Sequence, residues 1–258
     1  MTAILVERAQ GIATVTIDRP DKRNALTLAL WRELTRVFEA FGQEPDVRVV
    51  ILTGAGGHFC AGSDIAEFAA LRRDGAEGAG YAQAVDAAAD AIQALAKPTI
   101  AAIDGCCIGG GCGLALACDL RWAGSSAGFA ITSAKVGLIY GHRETRNLVL
   151  AVGAAAAKRI LFSGRTLDSR TALSLRLIDE RVEGPALPAA RAFAADIAEN
   201  APLSMAGSKR MIALIAAGAD DPAAPPFRAM MAGALDSADY REGRAAFAER
   251  RKPVFTGR

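Results

Sequence analysis

The chain has 258 residues, 52% hydrophobic and 22% charged, which is enough apolar material for one large domain or a compact domain with an appendage. Its formal net charge is +2, with Lys and Arg spread along the chain rather than gathered in an arm or stripe, which speaks against a nucleic-acid partner. The apolar runs are broken by Gly, Lys or Asp before the roughly 18 residues a membrane span needs, and MTAILVERAQ lacks the basic-then-apolar order of a signal peptide, so a cytoplasmic protein is expected.

Residues 3–20, AILVERAQGIATVTIDRP, read as two strands around a turn at Gly11, ended by Pro20. A helix follows in 24–45, capped by Thr27, with Leu30, Leu34, Val37, Phe38 and Phe41 on one face. VRVVILTG predicts a short buried strand over 47–53, closed by Gly54. The glycine-rich loop GAGGHFCAGSD comes next, where Asp64 is placed to cap a following helix. The Ala-rich stretch 78–96 reads as helix, and KPTIAAIDG as a second buried strand with Pro98 at its start. Asp119, opening a further strand, reads as structural. Strands that alternate with helices, and that run apolar throughout, predict an α/β fold with parallel pairing. Beyond about residue 140 the pattern is mostly helical, punctuated by Pro185, Pro188, Pro202 and DDPAAPP. The expected division is a core over 1–200 and a helical C-terminal region over 201–258.

Cys60, Cys106, Cys107, Cys112 and Cys118 lack the His or second Cys pair that a zinc spacing needs, so they read as reduced, buried thiols with no metal site. More informative is GCCIGGGCG, residues 105–113. Glycine in a regular element costs about 1 kcal/mol against Ala, so three in a row imply close backbone approach or N–H groups aimed at a ligand. The triplet lacks the G-x-G-x-x-G spacing of a dinucleotide fingerprint. Both buried strands feed glycine loops at their carboxyl ends, where open α/β sheets bind ligands. Backbone N–H groups from the two loops can converge on one oxygen, which is the construction of an oxyanion hole.

The segments RPDKRNAL (19–26), HFCAGSD (58–64), KPTIAAIDGCCIGGGCGLALACD (97–119) and REGRAAFAERRKPVFTGR at the end together resemble the enoyl-CoA hydratase/isomerase, or crotonase, superfamily. The resemblance spans essentially the whole chain. It implies a core of repeated strand–strand–helix units, a C-terminal helical trimerisation region, and assembly as a trimer or hexamer. It also implies an acyl-CoA thioester as ligand, with coenzyme A arriving as part of the substrate and no permanently bound cofactor. Carried over by motif, the oxyanion donors are the backbone N–H groups of Ser63, which follows Ala61-Gly62, and of Gly110. Arg23, Ala25, Leu26 and Ala61 fall where the family wraps the nucleotide, and Phe247 and Arg250 where its C-terminal helix reaches that nucleotide, often across a subunit boundary. The walls of the acyl pocket are expected from the stretch 65–90 and from distant helices.

The family's acid–base pair is absent by the same mapping. The hydratase glutamates correspond to Gly113 and Ser133, and the Asp of other branches to Gly141. Glycine exchanges no proton, and a lone Ser is a poor general base. The polar groups left nearby are Tyr140, His142 and Glu144 in LIYGHRETRN, with Glu144 readable either as a replacement acid or as a helix cap or arginine partner. Around Tyr140 the chain resembles methylmalonyl-CoA decarboxylase, where a Tyr orients the departing carboxylate, although that enzyme's His at the Ser63 position is missing. The expected activity is that of an acyl-CoA lyase or isomerase stabilising a thioester enolate. The alternatives are a decarboxylase using Tyr140, and an acyl-CoA-binding protein with little or no catalysis.

Overall fold

The computed structural model describes residues 3–67, 75–219, 221–222 and 224–258. Strands β1 (Ile4–Ala9) and β2 (Ile12–Ile17) form an antiparallel hairpin whose turn is closed by Gly11 at φ +76°. Four more strands extend it: β3 (Val49–Gly54), β4 (Thr99–Ile103), β6 (Leu120–Gly124) and β9 (Glu180–Val182). The order is β1-β2-β3-β4-β6-β9, and every pair after the hairpin is parallel, as expected of uninterrupted apolar strands. A second sheet of three short strands, β5 (Cys106–Ile108), β7 (Gly128–Ala130) and β8 (Leu167–Asp168), was not legible in the apolar pattern. Its members are two or three residues long, too short to carry a period.

The main sheet is covered on both faces. Val50, Leu52, Ala101 and Ile103 belong to one core cluster and their neighbours Val49, Ile51, Ile100 and Ala102 to another, the alternation of a pleated strand. The second cluster is filled by α6 (Ala186–Ala198), whose Ala186, Ala190 and Ala194 let the helix lie close to the sheet. The larger cluster holds α1 (Leu28–Phe41), α2 (Gly75–Ala94) and α3 (Gly110–Ala117). Next in the chain come α4 (His142–Ser163), interrupted at Gly153, and the short α5 (Ser169–Ser174). Helices α7 (Pro202–Ala216), α8 (Pro225–Leu235) and α9 (Ala238–Glu249) complete the chain and, among the described residues, contribute to neither cluster. Of these, α7 is tied to the strands by polar bonds. Lys209 Nζ donates to Lys97 O at 3.0 Å and to Asp119 Oδ2 at 2.8 Å, and Asp119 also accepts from Thr99 N and Oγ1. No helix among the described residues is long and apolar enough to cross a membrane.

Thr27 caps α1, accepting from Leu30 N at 3.3 Å. The buried stripe of α1 is Trp31, Leu34, Phe38 and Phe41, so it is rotated from the expected one; Leu30 and Val37 are only partly buried. Trp31 sits at the i, i+3, i+7 spacing of that stripe, and its bulk takes the helix end nearest the glycine loops. Its Nε1 donates to Tyr81 Oη at 3.1 Å, and Tyr81 Oη donates to Leu26 O at 3.1 Å. This buried relay ties α1 and α2 to the segment beside Ser63. Tyr81→Phe removes the acceptor of a buried indole N–H and is expected to cost about 1–3 kcal/mol, read as a lower urea midpoint at unchanged slope. An unchanged midpoint would show that the relay contributes nothing to stability.

Candidate active site

Strands β3 and β4 end side by side, and the segments leaving them stay paired. Phe59 N donates to Asp104 O at 2.8 Å, Cys60 N to Cys106 O at 3.0 Å, and Ile108 N to Cys60 O at 2.9 Å. His58 Nδ1 accepts from Cys106 N at 3.2 Å, which makes that histidine part of the loop's own bonding. On the opposite side the first loop pairs with 23–26. Ala61 N donates to Arg23 O at 2.9 Å, Leu26 N to Gly62 O at 2.7 Å, and Asp64 N to Leu26 O at 2.8 Å. The Gly62 carbonyl therefore points at Leu26. Across the same planar trans peptide, the Ser63 N–H points the other way, away from Leu26. Gly62 stands at φ +87°, and a Cβ there would lie 2.8 Å from Ile108 O and 3.0 Å from Gly110 N.

The glycine triplet opens α3 at its first turn. A Cβ on Gly110 would press on the Trp31 ring at 3.1 Å, and one on Gly111 would collide with Cys60 O at 2.2 Å. The close approach has its cause in the protein itself: the helix start is packed against an indole and a backbone carbonyl. Gly109 O accepts from Gly113 N at 3.2 Å and from Tyr140 Oη at 3.0 Å, so the Gly110 N–H points away from both and out of the helix start. The aligned peptides of α3 add partial positive charge there.

Glu144 lies at the third residue of α4 and is 8% exposed. Its Oε2 accepts from Gly141 N at 3.1 Å, the reach-back bond of a helix start, where an anion is favoured. Its carboxylate also stands over Gly113: a Cβ there would lie 2.8 Å from Glu144 Oε1. The space left by the missing side chain on α3 is thus filled by a carboxylate from α4. Arg143 pairs instead with Asp86 and Asp90. Tyr140 packs on the main core cluster. Burial, and then the neighbouring Glu144 charge, push its hydroxyl well above the usual tyrosine range, so it stays protonated and donates.

The remaining predicted residues fall as follows. Arg23 is exposed in a left-handed turn at φ +49°, while Ala25 and Leu26 are buried in the ladder against 61–64. Burial pushes the Cys106 thiol up, and the Arg23 charge opposes that shift. Asp64 Oδ1 accepts from Ala66 N at 3.1 Å, the expected cap, and its Oδ2 pairs with Arg19 at 3.1 Å. His142 is exposed on the first turn of α4. Phe247, 87% exposed, and Arg250 lie at the end of α9. The contacts described do not bring His142, Phe247 or Arg250 to the two loops. Ser133 opens a short 3-10 turn, where its carbonyl accepts from Leu138 N at 2.9 Å. Of the expected pocket wall, 68–74 lie outside the described residues. All five cysteines are free, and burial pushes the Cys60 and Cys118 thiols up to about 12.

The model of the enoyl-CoA hydratase/isomerase family matches residues 7–258. Among similar proteins, (E)-benzylidenesuccinyl-CoA hydratase of Thauera aromatica is 35% identical, over 98% of this chain and 99% of its own. An enoyl-CoA hydratase/carnithine racemase from Magnetospirillum magneticum superposes with TM-score 0.94 at 38% identity, covering 100% of this chain and 97% of its own. An enoyl-CoA hydratase from Bacillus anthracis gives 0.91 at 29% identity, with both chains covered at 100%.

Gly62→Ala places a methyl group against Ile108 O and Gly110 N and forces a side chain into the left-handed region. It is expected to lower stability by about 1–3 kcal/mol in urea unfolding, together with a fall in acyl-CoA turnover. A variant as stable as the parent would contradict the close approach described.

Proposed function

This chain belongs to the enoyl-CoA hydratase/isomerase family, and from that premise we propose that it is an acyl-CoA enzyme whose acid–base group is Glu144. The thioester oxygen accepts from Ser63 N–H and Gly110 N–H. The negative charge that grows on that oxygen as an enolate forms is met by these two fixed donors and by the positive end of α3. A single backbone donor of this kind is worth about 3 kcal/mol in the transition state. The observation that carries the reading is the Glu144 carboxylate standing over Gly113, beside the helix start that presents Gly110 N–H.

Hydration of a 2-enoyl thioester is the reaction best supported. Glu144 takes a proton from water while the water oxygen bonds to the β-carbon, and the electron pair of the double bond moves toward the thioester oxygen. The resulting carboxylic acid then returns the proton to the α-carbon, so that one water is added and Glu144 is regenerated. The full-length similarity to (E)-benzylidenesuccinyl-CoA hydratase supports this choice. A titratable group in the space of the missing glutamate favours catalysis over binding alone. The decarboxylase alternative asks Tyr140 to donate to a departing carboxylate, whereas that proton is already donated to Gly109 O.

The same reading gives Arg23, Ala25, Leu26 and Ala61 to the nucleotide end of the substrate. Phe247 and Arg250 serve that end from a neighbouring subunit of a trimer or hexamer, which the region 201–258 holds together.

Glu144→Gln keeps an acceptor for Gly141 N but removes the base. With a panel of 2-enoyl-CoA esters followed by mass spectrometry, the rate of water addition is expected to fall by about 10²- to 10⁴-fold, with thioester affinity within about twofold. A variant within about threefold of the parent rate would remove Glu144 from the chemistry.

A further inference from the structure

We infer that Tyr140 is a positioning residue for the oxyanion donor: by donating to the Gly109 carbonyl it fixes the Gly109–Gly110 peptide and strengthens its N–H toward the thioester oxygen. The inference rests on the reading above that Gly110 N–H is such a donor.

Gly109 C=O and Gly110 N–H belong to one planar amide, so whatever holds the carbonyl aims the N–H. Packing holds this peptide at its Gly110 end, against Trp31, and leaves its Gly109 end open. Gly109 stands at φ +54°, and a Cβ there would meet nothing within 4 Å. Hydrogen bonds to the Gly109 carbonyl therefore share in setting the plane. The helical bond from Gly113 N is long, at 3.2 Å, and the bond from Tyr140 Oη is shorter, at 3.0 Å. A carbonyl has two lone pairs and accepts both. Its acceptance also polarises the amide. A donor on the oxygen draws electron density from the nitrogen and makes the N–H a better donor, an effect of about 10–30% per bond in condensed phase.

Tyr140 is built to stay in place. Its ring packs on the main core cluster, and its own carbonyl accepts from Thr145 Oγ1 at 3.3 Å. Burial, and then the charge of Glu144, hold its hydroxyl well above the usual tyrosine range, which keeps the proton that it donates to Gly109 O. The first loop has a matching arrangement. The Gly62–Ser63 peptide is held at its carbonyl by Leu26 N at 2.7 Å, and Leu26 is held in turn by Tyr81. Each oxyanion N–H thus has a donor behind it on the far side of its own amide, and for Gly110 that donor is a side chain open to substitution.

The test is isotope-edited infrared spectroscopy of [1-13C]butyryl-CoA, a saturated probe that cannot be hydrated, bound to the full-length protein and to Tyr140→Phe. In the parent the carbonyl stretch is expected at lower frequency than in free thioester. In Tyr140→Phe that displacement is expected to shrink by about half. On the best enoyl-CoA substrate kcat is expected to fall about tenfold with KM within about twofold, while the thermal midpoint moves by only a few degrees. A displaced parent band that is unchanged in Tyr140→Phe overturns this inference and leaves the oxyanion reading standing. A parent band at the frequency of free thioester overturns the oxyanion reading itself.

Discussion

Everything in this site depends on two stretches of main chain touching where side chains would keep them apart. Gly111 rests on the Cys60 carbonyl, and Gly62 rests on Ile108 O and Gly110 N. A single methyl group at either place would overlap backbone, which cannot rotate away as a side-chain tip can. Only with both positions bare does the start of α3 come up against the loop from β3. The proposed donors, Ser63 N–H and Gly110 N–H, lie on the two segments that this contact brings together.

The surrounding framework keeps that contact from relaxing. The loop from β3 is held on one flank by the ladder to 104–108 and on the other by the ladder to 23–26. The sheet beneath is covered on both faces, so β3 and β4 cannot shift independently. Trp31, Tyr81 and Leu26 extend the support through buried hydrogen bonds. Backbone donors carry the charge-stabilising part of the proposed chemistry, and this has a consequence for the rest of the site. The carboxylate needs only to occupy the right space, and the helix that delivers it is free to differ. Here α4 reaches across to fill the gap over Gly113, using a residue that also closes its own first turn.

Much of this was legible in the sequence, and the exceptions have physical causes. The hairpin, the Thr27 cap, the parallel buried strands and the Asp64 cap follow from local periodicity and capping chemistry, and the structure has them. The second sheet escaped because strands of two or three residues have no period. Trp31 was within reach of the helical spacing. Its bond to Tyr81, fifty residues away, was not, because no pattern in either segment names the other. The glycine triplet announced close approach, but what it approaches is a carbonyl and an indole supplied by distant segments. Likewise Gly113 read as a loss, and only the packing of α4 on α3 reveals Glu144 in the vacated space.

In the proposed complex one oxygen sits between Ser63 N–H and Gly110 N–H while Glu144 faces the carbons next to it. The decisive measurement is a crystal structure of the protein with a bound enoyl-CoA. The thioester oxygen is expected within about 3.2 Å of both backbone nitrogens, with a Glu144 carboxylate oxygen directed at the α- and β-carbons. A thioester bound with its oxygen on neither nitrogen, or with both Glu144 carboxylate oxygens turned from the acyl carbons, is the opposite result.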